Sequence, residues 1–235
     1  MRLSHLAIAF AAAAQFSIPA WAAEQRYSVT DFDRIQVSGP YEVVLTSGRA
    51  AAARATGSRA ALDDLSVEVN DGTLHIQRSA NAWSNGGESG GPVTVFVSTE
   101  AIRGAVMSGS GSLSMDKVSG MRVAVTLSGS GHLTASAVDA DTLSVGLIGS
   151  GSMTLAGKAH ILRLEAHGSG GVEGSHLVAG DATIAADSAG PISLVATSTA
   201  KITGTAPGDV TVTGSASCTV KQLGSGKIRC GRSGG

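Results

Sequence analysis

Apolar and small polar residues alternate in short segments through the second half of this chain. The segments at residues 123–127, 142–147 and 161–166 each place branched apolar residues at every second position. Alternation with a period of two is typical of a half-buried β-strand. The segments are too short, and too rich in Val, Thr, Ser and Gly, for repeating helices. The pattern therefore predicts an all-β chain built from many short strands.

A Gly-Ser-Gly turn, or a close relative of it, separates these segments at a nearly constant interval. The copies that begin at residues 108, 128, 148, 167 and 187 start 20, 20, 19 and 20 residues apart. Weaker echoes begin at residues 197, 213 and 223. A fixed period of this size indicates a stacked repeat architecture. The glycines predicted to form structural turns are Gly109, Gly111, Gly129, Gly131, Gly149, Gly151, Gly168, Gly170, Gly224 and Gly226.

The type of repeat follows from what a coil of about twenty residues can hold. Leucine-rich repeats need an Asn-bearing consensus that is absent here, and propeller blades have about twice this period. Two or three short strands with tight turns suit one coil of a parallel β-helix, or solenoid. Aromatic residues make up only 3% of the chain and Gly accounts for 32 of 235 residues, as expected for a narrow lumen with sharp corners. About six coils, stacked at roughly 4.8 Å, would form a rod about 30 Å long.

The N-terminal half carries strand signals without the repeat. We divide the chain into residues 1–22, an N-terminal β layer over 23–100, and β-helix repeats over 101–231. The Asn-Asp-Gly sequence that ends at Gly72 is a strong hairpin signal. The expected elements are two strands within 32–45 joined by a Gly-Pro turn, a helical turn within 58–65, a hairpin over 65–76, an exposed loop over 79–91 and a strand over 92–98.

Residues 1–22 have the features of a secretory signal peptide. Arg2 supplies the positive start, residues 6–18 are apolar, and Ala20-Trp21-Ala22 places small residues at a cleavage site. The apolar stretch is short for a membrane span, which disfavours a retained anchor. We therefore expect an exported protein without a stable membrane anchor after cleavage, located in the periplasm, at the cell surface or outside the cell.

The chain has two cysteines, Cys218 and Cys230, both in the last predicted coil. An oxidising compartment permits a disulfide between them, and two separate buried thiols are the alternative. A bridge would act as a staple, because the end of a solenoid has an unpaired edge and no further coil to bury it.

Three groups of residues, in this order, resemble the autotransporter-adhesin head GIN domain family of bacterial envelopes. They are the opening Phe32, Ile35, Val37 and Gly39, the alternating segment 65–76 with Asp71-Gly72, and the serial turns from residue 108 onward. The resemblance covers about residues 29–230. It implies a right-handed parallel β-helix, related in shape to pectin lyases, and an adhesion role with no known reaction. The autotransporter part of the family name implies an outer-membrane anchor, and we expect none after residue 231.

Candidate catalytic and metal-binding residues are scattered along the repeats. Asp139 and Asp141 form the one close pair of acids, whereas a hard cation such as Ca²⁺ takes six to eight oxygens. The serines of the turns lack the strand-to-helix context of a nucleophile elbow, and no Gly-x-Gly element opens a helix. Four histidines, at positions 132, 160, 167 and 176, match no zinc spacing. We therefore predict no catalytic, cofactor-binding or metal-binding residues and no cofactor.

The net charge of −1 predicts no basic stripe, so nucleic acid is not an expected partner. The leading hypothesis is a non-enzymatic exported binding module of the cell envelope, with an unidentified envelope polymer, glycan or protein as its partner. The alternative is a polysaccharide-active enzyme of the pectin lyase type, and a third possibility is a periplasmic structural protein without a ligand. The enzyme would require at least three carboxylates, or carboxylates with an arginine, converging on one groove.

Overall fold

A computed structural model of the protein describes residues 23–79 and 91–231. The predicted signal peptide and most of the predicted loop over 79–91 lie outside these residues. The described N-terminal elements are β1 (Ala23–Tyr27), β2 (Arg34–Ser38), β3 (Glu42–Ser47), β4 (Ala52–Gly57), α1 (Arg59–Asp63), β5 (Leu65–Asn70), β6 (Thr73–Arg78) and β7 (Thr94–Thr99). The strands that follow are β8 (Gly104–Gly109), β9 (Ser112–Met115), β10 (Val118–Gly129), β11 (His132–Gly149), β12 (Ser152–Gly168), β13 (Gly171–Ser188), β14 (Ile192–Gly204), β15 (Val210–Thr213), β16 (Ser217–Gln222) and β17 (Ile228–Cys230).

The repeats form a parallel β-solenoid of about six turns, which confirms the predicted fold class. Strand makes up 71% and helix 3% of the residues that the structure describes. Neighbouring coils pair in register, so that Val123 lies beside Leu143 and Leu143 beside Leu162. The sequence period therefore appears in the structure as the offset between paired residues of successive coils.

The coils stack into three faces, because the long strands β10 to β14 turn corners without losing their pairing. Face C is the short stack that contains residues 118–120, 138–140, 157–159 and 177–179. Face A contains residues 104–109, 122–129, 142–149, 161–168, 181–188, 199–204 and 217–222. Face B contains residues 112–115, 132–135, 152–155, 171–174, 192–195, 210–213 and 228–230.

The N-terminal strands continue the same stack. Strand β2 pairs in parallel with β8 on face A, and β3 pairs in parallel with β9 on face B. Strand β6 pairs in parallel with β2, and β7 pairs in parallel with β3. Strand β5 is antiparallel to β6, β4 is antiparallel to β7, and β1 is antiparallel to β4. The predicted hairpin is confirmed as β5–β6, and the predicted helical turn as α1, whose cap Ser58 accepts a hydrogen bond from Ala61 N.

Faces A and B meet at the corner formed by the Gly-Ser-Gly turns. Gly129 has a φ of +120°, and an added Cβ would collide with the carbonyl oxygen of Gly109 in the preceding coil. That oxygen accepts hydrogen bonds from Ser130 N at 3.1 Å and Gly131 N at 3.0 Å. Gly149 and its neighbours repeat the arrangement one coil further on. Glycine is therefore required both by the left-handed backbone and by the close approach of successive coils.

The last coils are shorter than the sequence repeat suggested. Ala182 pairs with Ala200, and Ala200 with Cys218, so each of these steps spans 18 residues. The weaker turn copies predicted at residues 197 and 213 therefore do not lie at the glycine corner, and the prediction was wrong for these two. The corner of that coil is formed by Ala206-Pro207-Gly208, in which Gly208 N donates to Ser188 O at 3.1 Å. Because Pro207 replaces the usual Ser, this copy of the turn was not recognised in the sequence.

The core is the lumen of the solenoid, filled by the inward residues of each coil. Val125, Val145, Leu164, Ile184 and Ile202 form one such buried column along face A. Burying each of these side chains contributes about 1.5–3 kcal/mol. Two buried polar side chains of the described residues are satisfied, since the hydroxyls of Thr99 and Ser188 donate to backbone carbonyls at 2.6 and 2.5 Å.

Candidate functional site

The one close pair of acids in the repeats does not form a joint site. Asp139 lies opposite Lys158 of the next coil, with Oδ1 and Nζ 3.6 Å apart, and Asp141 lies 3.9 Å from His160 Nε2. Each carboxylate is thus directed to a different partner. Across residues 23–79 and 91–231, no group of three or more His, Cys, Asp or Glu side chains could hold a metal ion.

Two further acids of the repeats are each engaged by a residue of an adjacent coil. Asp181 accepts from Thr199 Oγ1 at 2.6 Å, and Asp209 accepts from Lys227 N at 2.8 Å. Such contacts hold one coil to the next at the surface. These carboxylates are dispersed along the rod and are not positioned to act together on one substrate.

Two histidines contact residues of the next coil, which the sequence spacing had not indicated. His132 Nδ1 lies 2.6 Å from Ser152 Oγ, and His167 Nδ1 lies 3.4 Å from Asp187 Oδ2. Each pair is 20 residues apart in sequence, so the repeat period itself was the signal that could have found them. Both pairs are exposed on a flat strand surface, whereas a catalytic nucleophile and base need a third group and a site that excludes water.

The pKa of Glu173 is lowered, chiefly because the Ser175 hydroxyl and then the Ser175 backbone amide donate hydrogen bonds to its carboxylate. Ser193 contributes a further hydrogen bond that lowers the same pKa. A general acid requires the opposite shift, a carboxyl that keeps its proton near neutral pH. Glu173 is therefore suited to holding a turn in place.

A disulfide joins Cys218 in β16 to Cys230 in β17. The two strands belong to different faces, with Cys218 paired to Ala200 on face A and Cys230 paired to Val212 on face B. The bridge therefore crosses the end of the lumen. Val220 is 45% exposed beside it, because no further coil among the described residues covers this inward position.

A depression of about 430 Å³ lies on the outer side of β3, β4 and β7. Phe96 forms part of its wall, and the guanidinium of Arg54 lies 4.2 Å from the centre of the Phe96 ring. Arg54 and Arg26 also contact Glu24, at 3.5 and 3.3 Å. The ring is thus already covered by a cation that is itself neutralised, which leaves little of its face for stacking on a ligand.

Part of face A, on β10 and β11, offers an outer surface of small side chains. Its outward positions include Ala124, Thr126, Thr142 and Ser144, which stand on neighbouring strands in a common register. Short side chains leave the strands flat and accessible, and the hydroxyls can both donate and accept hydrogen bonds. Flat parallel strands of this kind can accommodate an extended partner. The candidate functional site is therefore an open face, in contrast to the enclosed pocket typical of an enzyme.

The family described as "Putative auto-transporter adhesin, head GIN domain" matches residues 31–216. The chain belongs to the head GIN domain family. The match runs from the strands that begin the stack to the start of β16. Cys218 and Cys230 lie beyond it, so the disulfide is not part of the matched head GIN region.

Three solved structures share the fold of this head GIN domain protein. A putative adhesin from Bacteroides fragilis has a TM-score of 0.81 at 19% identity, with 89% of this chain and 97% of that chain covered. A putative lipid binding protein from Parabacteroides distasonis has a TM-score of 0.67 at 21% identity, with coverages of 90% and 97%. A putative adhesin from the same organism has a TM-score of 0.66 at 17% identity, with coverages of 88% and 96%.

A comparison with curated proteins finds no match. At identities of this level the solved structures establish the shared fold. Within the described part of the chain, no helix is long and apolar enough to cross a membrane.

Proposed function

We propose that the protein is an exported, non-enzymatic binding module of the cell envelope that engages an extended partner along its strand faces. The observation that carries this proposal is the in-register outer surface of face A, where the small and hydroxyl side chains of Ala124, Thr126, Thr142 and Ser144 stand on neighbouring strands. A repetitive partner can contact several coils at once, so weak contacts add into useful affinity. Membership of a family described as adhesins supports the adhesion type of role.

Export is the second part of the proposal. Residues 1–22 carry the signal-peptide features, and cleavage would release a protein with its disulfide formed in an oxidising compartment. The periplasm, the cell surface and the medium remain the three locations consistent with this route. Fractionation of cells that express the full chain, followed by N-terminal sequencing of the product, tests both export and cleavage near residue 22.

The competing enzyme hypothesis is tested by turnover. Purified mature protein is expected to show no cleavage of polygalacturonate, with or without Ca²⁺, because catalysis needs acid, base and charge-stabilising groups within hydrogen-bond reach. Asp139 and Asp141 are each engaged by a separate partner and do not meet this requirement. Saturable turnover that Asp139→Asn or Asp141→Asn abolishes would establish the enzyme and refute the binding module.

Binding itself is tested with a coil deletion. Leu164 pairs with Ile184, so removing residues 164–183 joins Arg163 to Ile184 and keeps the register of the stack. We expect the intact protein to be retained on envelope preparations and the shortened protein to be retained less, because the partner would lose one coil of contacts. Circular dichroism of both proteins checks that the solenoid persists. If a folded, shortened protein bound equally well, the extended interface would be wrong.

A further inference from the structure

Four arginines separated in the sequence meet on the outer surface of face A. Arg34, Arg103, Arg122 and Arg163 line a groove of about 590 Å³ whose lining includes no acidic residue. The overall charge of −1 had predicted no basic stripe, so this surface corrects that expectation. The cluster arises because β2, about seventy residues upstream, pairs with β8 and places Arg34 beside Gly104.

The register of the stack sets the dimensions of the groove. Arg34, Gly104, Ala124, Ser144 and Arg163 occupy successive strands at one outward position. Four strand spacings separate the two arginines, so their backbones are about 19 Å apart. Arg122 and Arg163 lie on β10 and β12, two strand spacings or about 10 Å apart, a separation that suits successive charges along a polymer.

The floor between the arginines is low because its residues are small. Gly104 has no side chain, and a Cβ there would lie 3.1 Å from Arg34 Cγ, so the Arg34 side chain lies over this position. Ala124 follows on the next strand. Thr142 and Ser144 then present hydroxyls along the same floor. These groups suit a partner that is both hydroxylated and negatively charged.

Two of the four guanidiniums are available for a ligand. Asp33 at one end of the groove holds Arg103 at 2.6 Å and Arg34 at 3.6 Å. Arg122 and Arg163 are exposed, and no carboxylate of the described residues forms an ion pair with them. Glu165, two residues after Arg163, limits the positive region at the other end. A guanidinium forms two parallel hydrogen bonds with a carboxylate, which makes arginine the side chain of choice for such groups.

The geometry points to an acidic polysaccharide as the ligand of this groove, with its carboxylates paired to Arg122 and Arg163 and its hydroxyls on Thr142 and Ser144. This inference rests on the proposed binding function and names the chemical class of the partner. Single-stranded nucleic acid is disfavoured because no aromatic ring lines the groove to stack on its bases. A protein partner is disfavoured because the groove has no apolar pocket for an anchoring side chain.

The test compares two double variants of equal charge. Arg122→Gln/Arg163→Gln removes the two unpaired arginines of the groove, and Lys227→Gln/Arg229→Gln removes two exposed cations at β17 on face B. Titration calorimetry measures binding of the mature protein to polygalacturonate and to its fully methyl-esterified, uncharged form. We expect wild type to bind only the charged polymer, the groove variant to bind about tenfold more weakly and the control within about twofold.

A third variant tests the shape of the groove at constant charge. Ala124→Tyr fills the floor between Arg34 and Arg163 and is expected to weaken binding as well. Ala124 is exposed, so the substitution leaves the lumen intact, and thermal melting verifies the fold of every variant. Unchanged binding by both Arg122→Gln/Arg163→Gln and Ala124→Tyr, or equal weakening by the face B control, would overturn the site.

Two further outcomes separate this inference from the proposed function. If polygalacturonate is not bound while envelope retention still depends on the number of coils, the ligand class is wrong and the binding module stands. If neither is bound, both proposals fail. Groove-dependent binding of single-stranded DNA or phosphatidylglycerol vesicles, without binding of polygalacturonate, would show that the ligand is a polyanion other than a polysaccharide.

Discussion

Replacing Gly129 by Val tests whether the glycine corner holds successive coils together. The backbone of Gly129 has a φ of +120°, which a β-branched residue adopts at a cost of about 1–3 kcal/mol. The new Cβ would also collide with Gly109 O, the acceptor for Ser130 N and Gly131 N. Losing those two hydrogen bonds costs about 0.5–1.5 kcal/mol each. We expect Gly129→Val to lower the free energy of unfolding by about 4 kcal/mol.

A matched control separates backbone strain from the collision between coils. Gly48 has a φ of +79° but no atom within 4 Å of an added Cβ, so Gly48→Val introduces the strain alone. Its expected cost is about 2 kcal/mol. Ser130→Val, at the exposed middle of the same turn, should stay within about 0.5 kcal/mol of wild type.

Urea unfolding followed by circular dichroism measures all three variants under the same conditions. The decisive quantity is the difference between Gly129→Val and Gly48→Val, expected at about 2 kcal/mol. Equal destabilisation of the two would show that the close approach of successive coils contributes nothing at the corner. A stable Gly129→Val protein would refute the corner assignment altogether.

Two further predictions concern the ends of the stack. Mass spectrometry of exported protein should find Cys218 and Cys230 bonded. Cys230→Ser should lower the free energy of unfolding by about 3 kcal/mol and accelerate hydrogen exchange in β16 and β17. Free thiols, or faster exchange as far as β8, would contradict a local staple. Burial raises the pKa of Tyr27 above 10.0, so the folded state disfavours the ionised phenol and stability falls as the pH rises above 10. Its buried hydroxyl has no hydrogen-bond partner among the described residues, so Tyr27→Phe should be neutral or slightly stabilising at pH 7 and should reduce the loss of stability above pH 10 in a pH series of urea melts.

The sequence predicted the repeated part of the fold because its constraints are local. Alternation marks the strands directly, and glycine marks corners where no other residue fits. The period failed where the coils shortened to 18 residues and Pro207 replaced the usual turn residue. In these coils the register is defined by the pairing of Ala200 with Ala182 and Cys218. A search for Gly-Ser-Gly turns in the sequence does not reveal that pairing.

The candidate site was much less predictable. Arg34 reaches the groove only because β2 pairs with β8 across a long excursion of the chain, and Arg122 and Arg163 sit on strands that are not sequence neighbours. Net charge averages over the whole surface and hides such a cluster. The dispersal of the acids was easier to predict, because carboxylates that are isolated in the sequence remain apart when the coils stack in register.

The disulfide across the end of the lumen also has a mechanical consequence. Tension that enters the folded rod from beyond residue 230 passes through the bridge to Cys218, so the segment between the cysteines, which are 12 residues apart, cannot extend. The load then acts on β16, which pairs with β14 through six consecutive residues, Ser217–Gln222. Peeling the rod from this end must break that ladder together with the shorter one of β17. A short covalent loop thus makes the shortest strand of the stack part of a larger unit that resists pulling.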